Sequence, residues 1–120
     1  MSIIKSYTDL EQSKKLVKIL PLESADMKIL SFGIDIKRRV VPIDDIAVLN
    51  REDEIPCWSL AALLDVIPCG QVNRMVNSDK WEASSWNDSD FEPAYYVEDY
   101  GNPIDACVAM IEKLNELKIL

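Results

Sequence analysis

Asn102-Pro103-Ile104-Asp105-Ala106-Cys107-Val108-Ala109-Met110-Ile111-Glu112-Lys113-Leu114 is the stretch whose reading decides the fold. Asn102 can cap a helix with its side-chain oxygen, Pro103 fits the first helical position, where no N–H is needed, and Asp105 lies in the first turn. Ile104, Cys107, Val108, Ile111 and Leu114 then fall on one stripe at helical spacing. A helix with one long apolar stripe has to bury it, and the residues before it supply a surface to bury it on. Gln71 to Val76 and Lys80 to Trp86 flank the turn-forming Asn77-Ser78-Asp79, the pattern of an antiparallel hairpin, and Ala94 to Val97 reads as a further strand. The last helix is expected to cover that sheet.

Further out, Trp58 to Ile67 is the most apolar segment, bounded by Pro56 and Pro68. Ser59 can cap it, and Leu60, Leu63, Leu64 and Ile67 share one side, so it reads as the helix buried deepest in the core. The charged run Asn50 to Ile55 before it reads as an exposed loop. Met27 to Gly33 and Ile36 to Ile43 are β-rich and predict a β-hairpin or two short strands, with Pro42 marking the exit. Thr8-Asp9-Leu10-Glu11 has the form of a capping box, so a first helix is expected to start there. Leu10, Leu16, Val17 and Leu20 would form its apolar side, with Lys14, Lys15 and Lys18 outward. The expected fold is α+β: one antiparallel or mixed sheet of four to five strands with about three helices packed against it. At 120 residues the chain is expected to form a single domain, 1–120, around one core.

Composition bounds the function. The three cysteines have no CxxC spacing and read as reduced thiols. Met1-Ser2-Ile3-Ile4-Lys5 has no apolar leader core, and nothing approaches the ~20 apolar residues that span a bilayer, so a cytoplasmic location without membrane association is expected. The net charge of −8 is uneven. Residues 1–40 hold eight basic and five acidic side chains, a net +3, while residues 41–120 hold five basic and sixteen acidic, a net −11. Such a surface repels phosphate backbones and disfavours nucleic acid as a partner.

The chain has no histidine, which excludes imidazole acid–base catalysis, Ser-His and Cys-His dyads and histidine metal sites. Asp88, Asp90 and Glu92 alternate like the start of a calcium loop, but Pro93 stands where glycine is needed and the closing Glu is missing. No catalytic residue, metal or cofactor is assigned. The suggestive stretch runs from Trp81 to Glu112, where eight acids occur without a Lys or Arg, interleaved with six aromatic rings. Trp81, Trp86, Asp88, Asp90, Glu92, Tyr95 and Tyr96 are the candidate binding residues. Exposed rings would form an acidic aromatic surface suited to a basic protein, since Tyr and Trp give large rigid contact areas and acids steer a basic partner. Alternatively Trp81 and Tyr95 are the core-facing half of strands. Period-2 alternation places Trp81 and Trp86 on opposite faces.

Pro56 to Pro68, Asn102 to Leu114 and, in the N-terminal part, Leu20 to Met27 resemble segments of small uncharacterised proteins from Bacteroides-type gut bacteria and their prophages. The likeness covers about a third of the chain and consists of packing and capping patterns. It implies a bacterial or prophage setting and no active site. Three functional readings follow. The first is a non-enzymatic protein-binding accessory of a mobile element, engaging a basic protein or another copy of itself. The second is a small carboxylate-dependent enzyme, with or without a metal ion, which would show two convergent acids of raised pKa in a pocket. The third is an acidic mimic of nucleic acid that inhibits a DNA-binding enzyme.

Overall fold

The computed structural model describes residues 5–30, 39–43, 54–86 and 93–120. The first helix, α1 (Leu10–Val17), begins one residue later than its box suggests: Asp9 is the cap, accepting from the Gln12 N–H at 2.8 Å while Gln12 Oε1 accepts from the Asp9 N–H at 3.1 Å. Thr8 is instead fully buried, its hydroxyl 2.8 Å from that of Ser13 and accepting from the Trp58 N–H at 3.1 Å. The Thr8 N–H donates in turn to the Trp58 carbonyl at 2.9 Å. Leu16 and Leu20 face inward as expected and Lys14, Lys15 and Lys18 face water, but Val17 is exposed as well.

β1 (Met27–Leu30), β2 (Arg39–Pro42) and β3 (Glu54–Cys57) form an antiparallel sheet in the order β2-β1-β3. The two expected strands are present as β1 and β2, paired antiparallel. β3 occupies the end of the run read as a loop. Pro56 within it argues against a central strand but not against an edge, where its missing N–H leaves no ladder bond unmade. Pro42 ends β2 at the opposite edge.

Ser59 caps α2 (Leu60–Val66), accepting from the Ala62 N–H at 3.3 Å. The chain then runs as a meander through β4 (Gly70–Arg74), β5 (Trp81–Ser85) and β6 (Tyr95–Tyr100). The β4-β5 turn is where the sequence places it, and Asn77 adopts φ 56° there, a left-handed conformation that Asn tolerates. The expectation of one sheet is corrected to two three-stranded antiparallel sheets among the described residues. Both edge strands of the first sheet carry a proline, which cannot donate to a further ladder, and α2 carries the chain away before β4 begins.

α3 (Pro103–Glu116) is capped by Asn102, whose Oδ1 accepts from the Asp105 N–H at 2.9 Å, with Pro103 at its start. It packs on the β4-β5-β6 sheet and against α2. Ile104, Cys107, Val108, Ile111 and Leu114 are all buried. α3 is thus the deepest helix, rather than the Trp58 to Ile67 segment: α2 is short and buries Leu63 alone within its span, while Leu60 and Leu64 are half-buried. Trp58, just before it, is fully buried and donates from Nε1 to Ser24 Oγ at 2.9 Å. One apolar cluster runs from Leu16 through Trp58 and Leu63 to Leu114. No helix among the described residues is long and apolar enough to cross a membrane.

Candidate functional site

The register of β4-β5-β6 sorts the predicted residues by face. Ala83 pairs with Val72 on one side and Val97 on the other, and all three meet the core under α3. Trp81, opposite Tyr100, and Tyr95, opposite Ser85, share that inner face and pack against the same cluster. Two of the seven candidates are therefore core-facing. Trp86 and Tyr96 lie on the outer face. Tyr96 is directly opposite Ser84 and is 54% exposed. Trp86, just past the end of β5, turns back along the strand and donates from Nε1 to Ser84 Oγ at 2.9 Å. Ser84 is only 7% exposed although it faces away from the core. Asp88, Asp90 and Glu92 lie outside the described residues.

The outer face is bordered by acids that the alternation of β5 and β6 carries there. Trp81 pairs with Tyr100 and Ala83 with Val97, so Glu98 and Asp99 together stand opposite the single residue Glu82. This is a β-bulge, with Asp99 at φ 72°. Like charges facing one another across a ladder destabilise it, and among the described residues neither Glu82, Glu98 nor Asp99 makes an ion pair. At the edge of β6 away from β5, Lys113 of α3 donates to the Tyr96 carbonyl at 3.0 Å, with its Nζ 5.8 Å from the centre of the Tyr96 ring. A cation held on an edge carbonyl also blunts unwanted strand pairing.

Other polar clusters tie elements together. Lys5 Nζ bonds Asp9 Oδ2 and Asp105 Oδ1, each at 2.9 Å, joining the starts of α1 and α3. Asp105 also accepts from Gln12 Nε2 at 2.6 Å and Asn102 Nδ2 at 2.8 Å. Burial pushes the Asp105 carboxyl up, but the bonds from Lys5, Gln12 and Asn102 and the Lys5 charge outweigh it and hold the group below the ordinary carboxylate range. Asp9 is likewise raised by burial and lowered further by the Gln12 N–H and by Lys5, for a net fall. Burial alone would lower Lys5, but its two carboxylate partners raise it overall. This cluster borders a cleft of about 390 Å³ that Tyr100 and Glu112 also line. Four acids line it, and Asp9 and Asp105, the two that converge on Lys5, are stabilised as anions, the reverse of what a general acid requires.

Asp26 accepts from the Ser59 N–H at 2.8 Å and from the Ser59 hydroxyl, anchoring the start of α2 to the residue before β1. The three cysteines are thiols. Burial, with the Asp26 charge, pushes Cys57 up to about 12, and burial pushes Cys107 up to about 12, so neither is a thiolate nucleophile at neutral pH. Among the described residues no three metal-ligating side chains come together. No family model matches the chain, and searches of curated proteins and of solved structures find no match to it.

The sequence singles out Trp86 and Tyr96 as candidates, but not Ser84 and the bulge acids as their neighbours. Parity was the available signal: Glu82, Ser84 and Trp86 alternate on one side of β5. The extra residue that brings Asp99 beside Glu98 has no such signature.

Proposed function

We propose that the chain is a non-enzymatic binding module whose outer β4-β5-β6 face engages a basic protein surface. The observation that carries this is the placement of Trp86 and Tyr96 on the side of the sheet away from α3, around a buried Ser84 and beside Glu82, Glu98 and Asp99. Rings on a rigid sheet give contact area at small entropic cost, and unneutralised acids beside them raise the on-rate of a cationic partner. The net charge of −8 adds long-range attraction for such a partner. The proposed setting is the bacterial cytoplasm, as a prophage or mobile-element accessory, in keeping with the resemblance of the Pro56 to Pro68 and Asn102 to Leu114 segments.

The test is a pull-down from bacterial lysate with wild type, Trp86→Ala/Tyr96→Ala and Glu82→Gln/Glu98→Gln, each first shown to be folded by circular dichroism. A basic protein retained by wild type and lost from both variants supports the reading. One retained equally by all three argues against it.

A further inference from the structure

Resting on that binding-face reading, we infer that the occupant is an arginine-bearing segment of another protein, recognised through its guanidinium groups. Ser84 and Tyr96 are direct cross-strand partners and Trp86 donates to Ser84, so the two aromatic side chains start from adjoining positions on one face. Glu82 stands two residues from Ser84 along β5 and Glu98 two residues from Tyr96 along β6. At about 3.3 Å per residue, the Glu82 backbone stands ~7 Å from Ser84 and that of Glu98 ~7 Å from Tyr96, within the span of one side-chain head and its stem. Aromatic faces and carboxylates therefore border the same small area.

A guanidinium satisfies both kinds of neighbour at once. Its N–H donors lie in its plane and meet carboxylates edge-on, leaving its flat faces to stack on rings. An ammonium is a strongly hydrated point charge and gives up one contact to optimise the other. Tyr96 already carries a cation, the Lys113 Nζ 5.8 Å from its ring centre, so the environment of this ring is suited to positive charge. Glu82 facing Glu98 and Asp99 without an ion pair among the described residues leaves the face with negative charge that an incoming cation relieves. A second copy of the chain is a poorer occupant, because each copy carries −8 and repels its like.

The experiment is calorimetric titration of the full chain with an arginine–serine repeat peptide and with its lysine–serine counterpart of equal length and charge. The expected result is about tenfold tighter binding of the arginine peptide. That preference should disappear in Trp86→Ala/Tyr96→Ala and return in Trp86→Phe/Tyr96→Phe, which keeps the flat faces. Equal affinity for the two peptides overturns the guanidinium inference and leaves the basic-partner reading standing. No binding of either peptide overturns both. A preference that survives in Trp86→Ala/Tyr96→Ala also overturns the inference, since the rings would then play no part.

Discussion

On the α3 side of the β4-β5-β6 sheet, Ala83 is fully buried and Trp81, Tyr95 and Val97 pack into the core; on the other side Tyr96 is 54% exposed and the half-buried Trp86 donates to Ser84. The two sides are built from alternating residues of the same strands. The inner side joins the helix stripe of α3 and contributes to folding through apolar burial. The outer side sets acids against one another at a bulge and leaves aromatic surface in water, which folding alone does not favour. The contrast teaches that an acidic aromatic run can be half core and half surface, and that strand register separates the halves.

The largest effects should come from the helix that closes the inner side. Ile111→Ala empties a fully buried position on α3 and should cost ~2–5 kcal/mol by urea denaturation. Gly70→Ala probes the junction of α2 with the sheet: a Cβ there would stand 2.8 Å from Ile67 Cβ and 3.0 Å from the Ile67 carbonyl oxygen. That crowding should cost ~1–3 kcal/mol. Gly101→Ala, where an added Cβ meets nothing within 4 Å, should change stability by less than ~0.5 kcal/mol.

The Lys5 cluster gives a pH signature that does not involve the outer side. Asp9 and Asp105 are held below their ordinary 3.8, so their contribution is present above that value and is lost as pH falls through their lowered values. Lys5 is held above its ordinary 10.5, so its contribution is present below that value and is lost as pH rises past it. Lys5→Met should lower Tm at neutral pH and narrow the gap between neutral and acid Tm. At the small end, Tyr96→Ala should move stability by no more than ~0.5 kcal/mol, as expected for an exposed side chain.

Much of this architecture is legible in the sequence because its signals are local. Asn102-Pro103 fixes the start of α3, Ser59 caps α2, and Asn77-Ser78-Asp79 makes the β4-β5 turn. The β3 strand is illegible because Pro56 reads as a breaker until the strand is known to be an edge. The Thr8 box misleads because Thr8 is drawn inward by Ser13 and Trp58, a partner fifty residues away, and Asp9 takes over the cap. Whether one sheet or two forms depends on where ladders end, which is a tertiary matter. At the candidate site, the opposition of Trp81 and Trp86 follows from period-2 alternation, whereas the bulge at Glu98 and Asp99 depends on pairing with β5 that single-strand patterns do not encode.

The most direct test of the two-sided sheet compares two double variants, Trp81→Ala/Tyr95→Ala from the inner side and Trp86→Ala/Tyr96→Ala from the outer, by urea denaturation alongside arginine-peptide titration. The inner pair should lose about 3 kcal/mol or more, and the outer pair under about 1 kcal/mol together with its peptide binding. An equal stability loss from both pairs, or undiminished peptide binding by the outer variant, would contradict the two-sided sheet.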